Sequence, residues 1–193
     1  MNLLGGIKMI NLLKKQPIIT TERLLLRPFT LNDGKRVQQL ANDKKIAETT
    51  LNVPYPYEAG AAEQWISSHE ELFNQGRAIT YAIIKKDEDA LIGTISLNLF
   101  LNHEKAELAY WVGSEYWNKG FCTEAAKALL DLGFNKLSLN KIYALCFSEN
   151  IGSSSVMEKI GMKYEGTRRQ DVKKWDKFID LSFYSILKSE FQK

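Results

Sequence analysis

A chain of 193 residues that is 45% hydrophobic and 25% charged has the length and composition of one globular domain. Its formal net charge of +3 at pH 7 is too small to indicate nucleic-acid binding, and no apolar run approaches the roughly 20 residues that span a bilayer. Two histidines and two distant cysteines, without any metal-ligand spacing, argue against a metal centre and a Ser-His-Asp hydrolase and favour a reduced, cytoplasmic protein.

The start of the chain is expected to be an N-terminal extension, residues 1–19, followed by a single domain over residues 20–193. The extension is mildly apolar, but lysines interrupt it and no small-residue cleavage site follows. It therefore lacks the pattern of a signal peptide. Residues 21–28 carry an apolar run between two arginines, which predicts the first strand, and Pro28 ends that strand or places it at an edge of a sheet.

Two helices are predicted next. Thr30 is a good N-cap for a helix that runs to about Ala41. Residues 46–57 contain two prolines and are expected to form a loop. A second helix is predicted over residues 58–74 and is ended by Gly76.

The rest of the chain alternates between strands and helices. Three strands separated by short turns favour an antiparallel meander. A helix and another strand follow, which indicates a parallel, right-handed crossover. A short helix and two strands complete the order β-α-α-β-β-β-α-β-α-β-β, an α+β domain with a mixed sheet and helices on both faces. The predicted ranges are 78–85, 91–100 and 105–112 for the meander, 123–137 and 141–147 for the crossover, and 152–160, 162–168 and 178–187 for the last elements.

The passage from the third meander strand into the following helix has the features of an anion site. Asn118, Lys119 and Gly120 form a turn in which glycine can adopt backbone angles closed to other residues. The first N–H groups of a helix have no internal partner and can bind a phosphate, and Lys119 could add a point charge. Many glycines before helices serve packing alone, so the pattern by itself leaves both interpretations open.

Three stretches together carry a resemblance to the GNAT superfamily of N-acetyltransferases. Its acetyl-CoA pyrophosphate loop resembles AYWVGSEYWNKGFCTEA at residues 109–125, and its second cofactor segment resembles NIGSSSVMEKIGMKYEG at residues 150–166. The opening TERLLLRPF at residues 21–29 is similar to that of the RimJ/RimL branch, which acetylates protein N-termini. The resemblance covers about residues 20–190.

The resemblance implies a mixed, mostly antiparallel sheet that is splayed between its fourth and fifth strands and holds acetyl-CoA in the gap. The backbone of the fourth strand would bind the pantetheine arm from one side, and Asn150 would bind it from the other. Ser153 would lie near the thioester. The N–H groups of the following loop would wrap the pyrophosphate. The implied cofactor residues are Tyr110, Trp111, Val112, Trp117, Asn118, Lys119, Gly120, Phe121, Cys122, Thr123, Asn150 and Ser153, with no metal.

The implied chemistry is direct attack of a neutral amine on a thioester whose carbonyl a backbone N–H polarises. Glu107 is the candidate base, because it begins the strand that carries the thioester site. A surface carboxylate at a strand end is the alternative interpretation of Glu107, and Asp171 is a second candidate base. Ser153 is the candidate general acid, or it positions the thioester; a helix cap is its other interpretation. Cys122 is not expected to be a nucleophile.

Three positions depart from the family pattern. Trp117 replaces the usual Arg or Gln at the start of the loop, and Cys122 replaces Gly or Ala. Because backbone N–H groups bind the phosphate, both changes are expected to be tolerated. Met157 stands where many members have a tyrosine that acts as general acid, so the leaving group would have to be protonated by Ser153, by water or not at all.

Several functions stay open at this point. The branch favours a protein N-terminal α-amine as acceptor, and a polyamine or aminoglycoside is the alternative. The alternative would need several carboxylates around the acceptor, and the variable helical region could supply Glu48, Glu58, Glu63, Glu70 and Glu71. A non-catalytic acyl-CoA-binding module on the same fold is a different class of function, and a nucleotide-binding loop lacks the required spacing. The protein is expected to be a monomer or a homodimer.

Overall fold

The fold is built on one mixed sheet, and the computed structural model describes residue 13 and residues 15–191. Its strands are β1 (Ile19–Thr20), β2 (Leu24–Arg27), β3 (Ala78–Lys85), β4 (Ala90–Phe100), β5 (Lys105–Val112), β6 (Lys141–Phe147), β7 (Lys163–Lys174) and β8 (Lys177–Leu187). They lie in the order β1-β2-β3-β4-β5-β6-β8-β7. Neighbours are antiparallel except β5 and β6, which are parallel. The predicted α+β fold with a parallel crossover is confirmed.

The helices are α1 (Gly34–Ala41), α2 (Lys44–Thr49), α3 (Ala61–Ser67), α4 (His69–Asn74), α5 (Phe121–Asp131), α6 (Ile151–Lys159) and α7 (Lys188–Phe191). Leu97 and Leu108 form a cross-strand pair on the face of the sheet where Gly133, just beyond α5, packs. Ser96 and Ala109 are paired on the opposite face. No helix in the described part of the chain is both long and apolar enough to cross a membrane.

The sheet opens between β5 and β6. These strands pair only at their starts, where Lys105, Ala106 and Glu107 lie opposite the first three residues of β6. Beyond Glu107, β5 keeps its pairing with β4, and β6 keeps its pairing with β8 as far as Phe147. The predicted gap is therefore present, and β5 and β6 are the fourth and fifth strands when the count starts at β2.

Several element bounds differ from the sequence prediction. The stretch expected to be a loop, residues 46–57, begins inside α2, because the side chain of Asp43 accepts a hydrogen bond from Lys45 N at 2.9 Å and caps that helix. The single helix expected over residues 58–74 is two short helices that meet at Ser68. Beyond α5, the chain continues as one π-helical turn over Leu132–Lys136.

The expected N-terminal extension, residues 1–19, falls largely outside the described residues. Its described end packs on the domain, since Gln16 donates a hydrogen bond from Nε2 to the carbonyl of Thr80 at 2.9 Å. Ile19 and Thr20 pair with Leu26 and Leu25 as strand β1. The last residues before 20 therefore contribute to the sheet itself.

Candidate active site

A cavity of about 1190 Å³ occupies the opening between β5 and β6. Its wall is formed mainly by β3, β4, β5, the end of β6, helices α2, α3, α4 and α6, residues 50–54, the loop before α5 and the first turn of α5. The structure thus brings the two predicted cofactor segments together. Of the predicted site residues, those on the wall are Glu107, Tyr110, Trp111, Val112, Trp117, Asn118, Gly120, Phe121, Cys122, Thr123, Asn150 and Ser153.

The loop between β5 and α5 is closed by its own side chains and leads into a free helix N-terminus. The indole Nε1 of Trp117 donates to the carbonyl of Val112 at 2.9 Å, so the residue that replaces the family's Arg or Gln ties the loop to the strand. Gly120 has a φ of +80°, which L-residues rarely adopt. The hydrogen bond from Glu124 N to Gly120 O at 3.0 Å spans the first turn, so the N–H groups of residues 121–123 precede it.

Arg23 in the turn before β2 fixes this loop, a role that the sequence analysis missed. Its guanidinium donates from Nη1 to the carbonyl of Lys119 at 2.9 Å and from Nε to Glu124 Oε2 at 2.6 Å. Burial raises the pKa of Glu124, but hydrogen bonds from Thr21 and Arg23 outweigh it and hold that pKa below its ordinary value. Lys119 itself does not line the cavity; its ammonium lies 5.8 Å from the ring centre of Tyr116.

A pair of hydroxyls bridges the opening. The phenol oxygen of Tyr110 lies 3.0 Å from Ser153 Oγ and donates to the carbonyl oxygen of Ser153 at 3.2 Å. Burial raises the pKa of Tyr110 above its ordinary value, so the phenol keeps its proton at neutral pH. The sequence analysis assigned only the backbone of Tyr110. Strand alternation was the available signal, since it places the Tyr110 side chain on the face opposite Glu107.

Asn150, rather than Ser153, caps α6. Its Oδ1 accepts from Ser153 N at 3.0 Å, and its Nδ2 donates to the carbonyl of Thr49 at 3.3 Å. Ser153 lies inside the first turn, with its side chain directed to Tyr110. Met157 is buried on the cavity wall and has no proton to donate.

Cys122 and Cys146 are free thiols near the same hydroxyl pair. Burial raises the pKa of Cys122 to about 12 and that of Cys146 to about 11, although a hydrogen bond with Ser153 opposes the second shift. Both thiols are therefore protonated at neutral pH. A protonated thiol is a poor nucleophile, which agrees with the expectation for Cys122.

Glu107 belongs to a polar stripe on the face of the sheet opposite the Tyr110 side chain. Thr80, Ser96 and Asn98 share this face, and Asn98 lies directly across from Glu107. Burial raises the pKa of Glu107, while a hydrogen bond with Asn98 and the positive charge of Arg168 oppose the shift. Glu107 is thus a half-buried carboxylate on the cavity wall. Asp171, the second candidate, pairs instead with Arg168 at 3.6 Å on β7 and is not part of that wall.

The helical side of the cavity is aromatic and largely uncharged. Trp65 and His69 contact each other at 4.4 Å between ring centres, and both ring nitrogens of His69 are buried without a hydrogen-bond partner among the described residues. Burial lowers the pKa of His69 to about 4, so the ring is neutral at neutral pH. Among the described residues, Glu107 is the one carboxylate on the wall. The glutamates that could have supplied a polyamine pocket, Glu48, Glu58, Glu63, Glu70 and Glu71, do not line it.

Comparison with known proteins assigns the family. The profile of the acetyltransferase (GNAT) domain matches residues 23–163, which is most of the chain. The chain belongs to the GNAT family of acetyltransferases. It is 33% identical over 173 residues to the uncharacterized N-acetyltransferase YnaD of Bacillus subtilis, and this alignment covers 90% of this chain and 98% of YnaD. Its fold matches a GNAT acetyltransferase of Bacillus anthracis with a TM-score of 0.79 and 28% identity, over 90% of this chain and 100% of the other.

Two further relatives of this GNAT chain have names that state an acceptor, and the two acceptors differ. YdaF of Bacillus subtilis, named as a candidate ribosomal N-acetyltransferase, is 27% identical over 179 residues, 89% of this chain and 94% of YdaF. The spermidine N(1)-acetyltransferase of Escherichia coli is 26% identical over 141 residues, 73% of each chain. The family resemblance predicted from the sequence is confirmed: the chain is an N-acetyltransferase, and acetyl transfer to an amine is its activity.

Proposed function

We propose that this enzyme transfers the acetyl group of acetyl-CoA to a single primary amine, the α-amine at the N-terminus of a protein. The observation that carries the choice of acceptor is the cavity wall, where Glu107 is the one carboxylate of the described residues. A polyamine carries several positive charges, and a pocket that binds it needs several carboxylates. A peptide N-terminus presents one amine, which one carboxylate can deprotonate.

The residues around the opening fit acetyl-CoA. Beyond Glu107, the β6 side of β5 has no strand partner among the described residues, so backbone groups of residues 108–112 are available to the amides of the pantetheine arm. The N–H groups that follow Gly120 suit the pyrophosphate, and Arg23, which is ion-paired with Glu124, holds the loop that presents them. When bound, acetyl-CoA supplies the thioester that carries the acetyl group.

The protein then has two proton-handling groups on opposite faces of β5. Glu107 takes a proton from the attacking amine, directly or through water, and its raised pKa makes it a better base than an exposed glutamate. Tyr110 holds a proton at its phenol oxygen, next to Ser153 Oγ, for the departing sulfur. In this arrangement the hydroxyl pair takes over the task of the tyrosine that Met157 replaces.

Acetyl-CoA turnover with a panel of amines tests this proposal. The panel contains peptides that begin with Ser, Ala or Met, matched peptides with a blocked N-terminus, spermidine and an aminoglycoside, and free CoA thiol is measured. We expect turnover with free N-termini, none with blocked ones, and loss of turnover in Glu107→Gln. Turnover with spermidine and not with peptides would show that the acceptor assignment is wrong.

A further inference from the structure

Lys174, at the end of β7, is a buried cation that binds a part of the cavity wall far from it in sequence. The residue is 7% exposed, and its ammonium donates to the carbonyl oxygens of Thr50 at 2.6 Å, Leu51 at 3.1 Å and Val53 at 2.9 Å. No carboxylate pairs with it within the described ranges. An ammonium has three N–H groups, so all of its donors are used on one short segment.

This segment, residues 50–53, follows α2 and lies on the cavity wall. It has no helix or strand of its own to satisfy its carbonyls. Three carbonyl oxygens that converge on one point repel each other, and the ammonium between them offsets this repulsion. The conformation of the segment therefore depends on Lys174, which is more than 120 residues away in sequence.

A second tether places the segment at the active site. Asn150 caps α6 and donates to the carbonyl of Thr49, immediately before the segment. Ser153 of the hydroxyl pair is in the first turn of the same helix. The segment is thus fixed between the helix that carries Ser153 and the β7–β8 hairpin, and its residues share the cavity with Trp65 and Glu107.

We propose that Lys174 is a positioning residue of the acceptor pocket, which shapes the pocket by holding residues 50–53 in place as part of its wall. This inference rests on the proposed function, because it takes the helical side of the cavity as the acceptor side. A lysine suits the task, since its three donors spread from one nitrogen, whereas the planar fork of an arginine matches two parallel acceptors.

Lys174→Met tests the proposal, with Lys173→Met as the matched control. Lys173 is the preceding residue, is exposed and has a weak contact of 4.0 Å with Asp176. Three readouts are needed: hydrogen–deuterium exchange of residues 50–57, the Kd of acetyl-CoA, and kcat and KM for the acceptor peptide. In Lys174→Met we expect faster exchange in this segment and an acceptor KM raised about tenfold, because a wall that is no longer held in place binds the acceptor less tightly. The kcat and the acetyl-CoA Kd are expected to stay near the wild-type values, and Lys173→Met is expected to match wild type throughout.

Three results would overturn the proposal. They are unchanged exchange in residues 50–57, faster exchange with an unchanged acceptor KM, and an equal loss of acetyl-CoA binding. If Lys174→Met does not fold, Lys174→Gln, which keeps two N–H donors on a shorter chain, is measured in its place. If wild type acetylates no amine of the panel, the proposed function itself fails. The exchange experiment still decides, without turnover, whether Lys174 holds the segment.

Discussion

The phenol oxygen of Tyr110 lies 3.0 Å from the hydroxyl oxygen of Ser153, in the opening where β5 has left β6. The contact joins the central strand to the first turn of α6. Met157, farther along the same helix, is buried and cannot donate a proton. The chain therefore keeps a phenol in the cavity, but the phenol comes from the strand and not from the helix.

Tyr110→Phe removes the phenol oxygen and keeps the ring. If Tyr110 supplies the proton for the departing sulfur, kcat is expected to fall by about 10²-fold, the lower end of what a positioned acid contributes. Calorimetric binding of acetyl-CoA should change little, because backbone groups are expected to hold it. The control is Tyr184→Phe: Tyr184 is a buried residue that does not line the cavity, and its hydroxyl lies 3.5 Å from Glu158. An unchanged kcat in Tyr110→Phe would exclude this role.

Glu107→Gln is expected to lower activity and raise stability. Burial raises the pKa of the Glu107 carboxyl in the folded protein above its ordinary value of 4.5. The protonated carboxyl therefore favours the native state at low pH, and this contribution is lost as the pH rises through the pKa values of the unfolded and the folded protein. At pH 7 the buried charge is a cost that glutamine removes. We expect a higher Tm for the variant at pH 7 and a smaller difference below pH 4.5, measured by calorimetry. A lower Tm at pH 7 would contradict the assigned direction of the pKa shift.

The pH dependence of kcat/KM should report the same group. With Glu107 as base, the wild-type rate rises with pH as this carboxyl loses its proton, above the ordinary value of 4.5. The acceptor amine adds a second rise at higher pH, as it becomes neutral. Glu107→Gln should lack the lower rise and keep the upper one. A lower rise that persists in the variant would assign it to another group.

Gly120→Ala separates backbone strain from cofactor binding. Both Gly120 and Gly60 have a φ near +80°, where an alanine costs about 1–2 kcal/mol. A Cβ at Gly60, the N-cap of α3 and outside the phosphate loop, would meet nothing within 4 Å, whereas a Cβ at Gly120 would lie 3.3 Å from Arg23 Nη2. Gly120→Ala should therefore lose at least as much stability as Gly60→Ala, and only Gly120→Ala should weaken acetyl-CoA binding. Equal affinities in the two variants would count against Gly120 as part of the pyrophosphate site.

Local pattern was sufficient for the elements that build the opening. Short turns predicted the meander, and a helix between two strands predicted the parallel pair β5 and β6. Gly120 before a helix predicted a turn with unusual backbone angles, which the structure has at a φ of +80°, and Glu107, which begins the strand, lies on the cavity wall. In each case the physical cause lies within a few residues of the feature.

The parts that sequence reasoning missed depend on distant contacts. Arg23 reaches Glu124 across 101 positions, and Lys174 reaches Thr50 across 124. The break between α3 and α4 at Ser68 and the helix capped by Asp43 were also not predicted, since neither carries a proline or glycine to mark it. The number of carboxylates on the cavity wall could not be predicted either, because glutamates in the helical region could face either the cavity or the solvent.

A competition between acceptors in one tube tests whether the enzyme prefers a protein N-terminus to a polyamine. Wild-type enzyme receives limiting acetyl-CoA, equal amounts of spermidine, and a peptide that carries both a free α-amine and an internal lysine, and mass spectrometry locates the acetyl group. Because the described cavity wall has one carboxylate, we expect the peptide to be acetylated at its N-terminal amine. Acetyl groups found on spermidine, or on the lysine and not on the N-terminus, would contradict it.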